Sequence, residues 1–203
     1  MSTDSYLTIA SPAEGIYREK GSRFVSFAFP VQSEGDCKKY IKHVRQEHHK
    51  ARHVCHAYRL GADGNLFRTN DADEPKGSGG VPILNVIDSK RLTNVLVVVA
   101  RYFGGTKLGL PGLMRAYRSS AQSALTHSVV IERFLTTRFE ITCGHAEVNH
   151  VMKWVNGFSA TMIAQTFDEV CRFTLDVRQR DAEGARLALE RFPDMHVHLP
   201  DAS

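Results

Sequence analysis

The sequence predicts an α+β protein built as two units, residues 1–130 and 131–203. Three observations carry this reading. The apolar spacing switches repeatedly between a period of two and a period of 3.6 along the chain. The last seventy or so residues read β-α-β-β-α-β, the ferredoxin-like split βαβ plan. The charge also changes sign at the boundary. Residues 1–130 hold 18 Lys and Arg against 11 Asp and Glu, a net +7, and residues 131–203 hold 8 against 11, a net −3.

In the first unit, Phe24–Phe29 is an aromatic and β-branched run closed by Pro30, a strand signature. Ser33-Glu-Gly-Asp36 resembles a capping box. Cys37, Tyr40, Ile41 and Val44 follow at helical spacing, leaving Lys38, Lys39, Lys42 and Arg45 on the outer face. From Arg52 the period becomes two, and with Gly61–Asn65 and Leu66–Thr69 the segment reads as a β-hairpin. A loop over 70–80 leads to Pro82 and a helix over Ile83–Ser89. Val95–Ala100 is apolar on both faces, as a central strand must be. A second glycine loop, Gly104–Gly109, precedes a helix over Leu113–Leu125 with Pro111 near its start. In the second unit, strands are expected over 135–143, 160–167, 170–177 and 195–199, with helices over 148–155 and 185–192.

The longest apolar run, Val95–Ala100, is six residues, far short of the roughly 20 that cross a bilayer, so no membrane span is expected. The N-terminus carries Asp4 and hydroxyls where a signal peptide needs basic and apolar stretches, which points to the cytoplasm. Cys37, Cys55, Cys143 and Cys171 contain no C-x-x-C pair and read as reduced, buried thiols rather than a disulfide framework.

The two glycine loops are the strongest chemical signal. A strand-to-helix loop presents unpaired amides and the positive end of a helix dipole, which favour an anion. Gly77, Ser78 and Gly79 in the first loop, and Gly104, Gly105, Thr106 and Lys107 in the second, are therefore the candidate phosphate site. The same loops would serve equally as tight turns that pack helices on a sheet. Neither is a Walker A loop, and G-x-G-x-x-G is absent. Asp71 and Glu74 form a candidate acidic site for a divalent cation or a base, or else a solvated turn. His53 and Cys55 share a strand face while His56 points away, so they do not make a ligand set, and no metal or cofactor is expected. Ser78 has no identifiable base, and no catalytic residue is assigned. Lys38, Lys42, Arg45 and Arg52, with Arg101 and Arg115 near the second loop, suit a nucleic-acid backbone. A solvated helix face would carry the same residues.

Glu74-Pro-Lys-Gly-Ser-Gly-Gly-Val-Pro-Ile-Leu84, Val97-Val-Val-Ala-Arg-Tyr-Phe-Gly-Gly-Thr-Lys-Leu-Gly109 and Gly112-Leu-Met-Arg-Ala-Tyr117 resemble the signature blocks of the YigZ/IMPACT family. Lys20-Gly-Ser-Arg-Phe24 and Ala51-Arg-His-Val-Cys55 match its earlier blocks. The chain departs from the family's Asp-Asp-Gly-Glu-Pro at Asp71-Ala-Asp-Glu-Pro75, where Asp73 stands in place of glycine. The resemblance implies an N-terminal domain like the second domain of a small-subunit ribosomal protein, followed by a ferredoxin-like domain. It also implies a link to translation, because eukaryotic members are translation regulators that act through a protein partner.

The expected function is that of a non-enzymatic nucleic-acid- or ribosome-binding protein that regulates translation, with RNA or the ribosome as partner and a translation-regulatory protein as a further one. The alternative is an enzyme or binder acting on a phosphorylated small molecule at the two glycine loops.

Overall fold

The computed structural model describes residues 4–192 and 194–200. One unit runs Tyr6–Arg133, and the other comprises Phe134 onward together with Asp4 and Ser5.

The first unit is a five-stranded antiparallel sheet between helices on both faces. Its strands are β2 (Ala13–Glu19), β3 (Ser22–Pro30), β4 (His53–Leu60), β5 (Leu66–Asn70) and β6 (Val95–Tyr102), in the order β2-β3-β6-β4-β5. The central strand β6 sorts its residues by pleat. Val95, Val97 and Val99 pack under α2 (Gly80–Ser89) and α3 (Gly109–His127), while Leu96, Val98 and Ala100 face α1 (Glu34–Glu47). A strand buried on both faces explains its unbroken apolar run. Helix α1 starts on a complete capping box, in which Ser33 Oγ accepts from the Asp36 amide and Asp36 accepts from the Ser33 amide.

Strand β2 escapes a pattern-based reading because Ala-Glu-Gly-Ile-Tyr-Arg-Glu lies at the sheet edge and is mostly polar. Its Gly15 is required by packing: a Cβ there would sit 2.3 Å from the Ala124 amide nitrogen of α3. A two-stranded ribbon of β1 (Ser5–Ile9) and β7 (Val130–Phe134) is the other element absent from the pattern. Helices α2 and α3 begin three and four residues earlier than expected, at Gly80 and Gly109.

The second unit has the expected ferredoxin-like order: β8 (Thr136–Cys143), α4 (Val148–Gly157), β9 (Thr161–Phe167), β10 (Cys171–Arg178), α5 (Ala182–Leu189) and β11 (His196–His198). The sheet order is β11-β8-β10-β9. Phe139, Ile141, Phe173 and Leu175 meet Val151, Trp154 and Leu189 in one core, and the Trp154 indole donates to the Ala185 carbonyl at 2.9 Å. Among the described residues no helix is long and apolar enough to cross a membrane.

Candidate functional site

Antiparallel register gathers the chain's unusual features at one end of the first sheet. Glu19 pairs with Ser22, Arg23 with Tyr102, His53 with Arg101 and His56 with Asn70, so both glycine loops leave from this end. Helices α2 and α3 start there. The connection from α1 to β4 passes there too, fixed by the Arg52 amide donating to the Arg101 carbonyl at 3.0 Å. His48 Nδ1 lies 2.8 Å from the Tyr102 hydroxyl.

The first glycine loop already holds an anion, and it is the chain's own. The amides of Gly77, Gly79 and Gly80 donate to the Asp71 carboxylate at 2.8, 2.9 and 2.8 Å. Burial pushes that carboxyl upward, but the three amides outweigh it and hold the group below its ordinary range. The Ser78 amide donates to the Pro75 carbonyl, and the Ser78 side chain is buried. Gly77, Ser78 and Gly79 therefore do not offer a cradle of free amides to a phosphate, because all three amides are spent internally. Ala72 and Asp73 occupy the left-handed region, with φ of 46° and 67°. The backbone that calls for glycine is thus kept at Asp73, a residue type that tolerates it.

Glu74 is buried beneath the loop. Its Oε1 accepts from Arg101 at 2.5 Å and from the Tyr117 hydroxyl at 2.9 Å, and His53 Nε2 lies 4.0 Å away. His53 Nδ1 meets the Ala72 carbonyl at 2.7 Å, and the Cys55 thiol donates to the Asp71 carbonyl at 2.9 Å. Burial pushes the Cys55 thiol up to about 12, so it is inert at neutral pH. Two expectations are corrected here. Asp71 and Glu74 are not an acidic site for a cation or a base, since one carboxylate is saturated by amides and the other is locked in an ion pair. Among the described residues no group of three or more His, Cys, Asp or Glu side chains could hold a metal. Arg101, only 5% exposed, is likewise not a surface contact for phosphate, because its charge is committed to Glu74.

The second loop is different. Gly104 is fixed by packing, since a Cβ there would fall 1.9 Å from the Gly21 carbonyl carbon. Gly105, Thr106 and Lys107 are exposed, and Gly105 has φ +88°. Helix α3, which follows, has no side-chain cap on its first amides. Arg115 is exposed on α3 and bonded to Glu19.

The basic residues of α1 form a row. Lys38, Lys42 and Arg45 recur at i, i+4 and i+7, and with His49 and Asn70 they line a groove of about 760 Å³ between α1 and the β4–β5 edge. An adjoining pocket of about 480 Å³ shares Arg45, His49 and Asn70 and adds His48, Arg52 and Asp73 to its lining. The structure thus brings together Lys38, Lys42, Arg45 and Arg52. It also adds three histidines that strand and helix periods did not attach to them, His48, His49 and His56. Burial, then the neighbouring Arg45, pushes the His56 imidazole down to about 4, so it is neutral at physiological pH.

The model of the Impact N-terminal domain matches residues 20–125, just over half of the chain, including both glycine loops and strands β3 to β6. The chain belongs to the IMPACT family. It is 39% identical over 131 residues to the IMPACT family member YvyE of Bacillus subtilis, covering 64% of this chain and 60% of that protein. Against the IMPACT family member YigZ of Escherichia coli, identity is 29% over 150 residues, covering 73% of this chain and 74% of YigZ. A solved crystal structure of a hypothetical protein shares the fold, with a TM-score of 0.72 over 99% of this chain and 100% of the other, at 22% identity. In this IMPACT family chain the matched blocks coincide with the Asp71 nest, the Glu74–Arg101–Tyr117 cluster and the exposed second loop.

Proposed function

We propose that this IMPACT family protein binds RNA without catalysing a reaction, gripping the phosphate backbone along the row Lys38, Lys42, Arg45 and Arg52. The observation that carries this is the row itself. Four cations on one helix and its exit line two adjoining grooves, and none of the four has an acidic partner within ion-pair distance among the described residues. A positively charged groove of this kind suits a nucleic-acid backbone read by charge rather than by sequence. The row runs toward the end of the sheet from which Gly105, Thr106 and Lys107 project, and these supply further contacts, with Arg115 nearby on α3. The family link to translation supports ribosomal RNA as the source, with a translation-regulatory protein as a second partner.

The test is binding of the full chain to single-stranded RNA and to ribosomes across a salt series. Replacing Lys42 and Arg45 together with alanine should weaken binding and flatten the log–log salt slope by about 0.7 for each lost contact on a single strand. An unchanged slope in that variant, with binding intact, would refute the assignment. The exposed, uncapped start of α3 favours one other reading, a phosphorylated small molecule held at Gly105–Lys107. Binding of nucleotides that is lost on Lys107→Ala and unaffected by Lys42→Ala would decide for it.

A further inference from the structure

Two of the four cysteines, 28 positions apart in sequence, meet in the second unit. Cys143 is the last residue of β8 and Cys171 the first of β10, and the register places them directly opposite one another. Both lie on the core face and both are free thiols. Directly opposed residues of an antiparallel pair have Cα atoms about 4.5–5.5 Å apart. That separation lies inside the range of roughly 4.4–6.8 Å that a disulfide spans.

A third residue completes the arrangement. His145 Nε2 lies 2.9 Å from the Asp168 carbonyl, which can only accept, so Nε2 carries the proton. Nδ1 is therefore an acceptor, and it lies 3.5 Å from the Cys171 sulfur. His145 is exposed, and both cysteines sit at strand ends, where a ladder opens most readily.

We propose that Cys143 and Cys171 form a reversible thiol–disulfide pair, with Cys171 as the attacking thiol and His145 as its base. The oxidant is a small disulfide such as oxidised glutathione. His145 Nδ1 takes the Cys171 proton, and the thiolate attacks one sulfur of glutathione disulfide, releasing glutathione and leaving a mixed disulfide on Cys171. The Cys143 thiol then attacks the Cys171 sulfur, forming the Cys143–Cys171 bond and releasing the second glutathione, whose thiolate takes the Cys143 proton. Two thiols and one disulfide become one disulfide and two thiols, so the exchange balances. The roles follow from geometry: His145 Nδ1 lies beside the Cys171 sulfur, so Cys171 attacks, and Cys143, opposite it in the register, resolves.

The experiment treats the folded full chain with oxidised glutathione and follows it by mass spectrometry and by mapping of non-reduced peptides. The expected product has lost the mass of two hydrogens and links the peptides of Cys143 and Cys171, with Cys37 and Cys55 still free and alkylatable after unfolding. Cys143→Ser should stop at the glutathione adduct on Cys171, and Cys171→Ser should give neither product. His145→Gln should slow formation of the adduct by about tenfold or more while leaving the circular dichroism spectrum unchanged. A wild-type chain that keeps all four thiols, or that links any other pair, overturns the proposal. A His145→Gln variant that reacts at the wild-type rate overturns the role given to His145.

Discussion

The buried pair of Glu74 and Arg101 offers a sharp test of how the first unit is held together. Their side chains are 4% and 6% exposed and 2.5 Å apart, and the same Glu74 oxygen also accepts from Tyr117. Removing one member of such a pair leaves the other as an uncompensated buried charge, which costs about 3–5 kcal/mol. Glu74→Gln keeps an acceptor for Tyr117 and Arg101, so its loss should fall near the lower figure, about 3 kcal/mol. Arg101→Met leaves a buried carboxylate with the Tyr117 hydroxyl and should cost at least as much. The double variant contains no buried charge and should be more stable than either single, although its two separate losses would predict the reverse. Equilibrium urea unfolding of the full chain reads this out. With a slope of roughly 2 kcal/mol per molar, the midpoint of the single variants should fall by about 1.5 M. Far-UV circular dichroism follows both units together, while the fluorescence of Trp154, the only tryptophan in the sequence, reports the second alone, so a transition seen by dichroism and not by fluorescence belongs to the first. Simple addition of the two single losses in the double variant would refute the argument. So would a loss of RNA affinity in folded Arg101→Met equal to that of Lys42→Ala with Arg45→Ala, because it would make Arg101 a ligand contact after all.

The Asp71 nest should make stability depend on acid. A carboxyl whose folded value is depressed contributes stability above its unfolded value, and that contribution is lost as the pH falls through the folded one. The midpoint of thermal unfolding should therefore drop steeply below about pH 4 in the wild type, and less steeply in Asp71→Asn, which starts lower at neutral pH. Parallel pH profiles for the two proteins would count against the nest. At the second loop, Gly104→Ala places a Cβ 1.9 Å from the Gly21 carbonyl carbon and 2.2 Å from the Ser22 nitrogen, both backbone atoms that cannot step aside. It should destabilise by about 2–3 kcal/mol, against about 1 kcal/mol for Gly105→Ala, where φ is +88° but the space around it is open. Equal losses in thermal or urea melts would show that the close approach at Gly104 carries no weight.

Much of this architecture is legible from spacing alone, because periodicity is a local property. The run Val95–Ala100 announces a strand buried on both faces, and the alternation of Cys171, Phe173, Leu175 and Val177 gives β10 and its core face. The capping box at Ser33–Asp36 fixes the start of α1, and with it the phase that puts Lys38, Lys42 and Arg45 in one row. Elements with weak patterns escape such a reading. Strand β2 is polar on its exposed edge, and its one structural demand, the glycine at position 15, comes from a helix more than a hundred residues away.

The chemistry divides along the same line. Sequence composition and spacing determined the two-unit α+β plan, the basic helix face and the presence of two glycine loops. Which loop is free to bind was decided only by tertiary structure, since Asp71 fills the first with its own carboxylate. The same holds for Arg101, a cation by sequence and a buried partner of Glu74 by position, 27 residues away. It holds again for Cys143 and Cys171, unrelated in spacing and opposed in register. A charge or a thiol takes its role from the groups within a few ångströms of it, because desolvation and pairing act over that range. Those neighbours are set by strand pairing and helix packing, which no local pattern encodes.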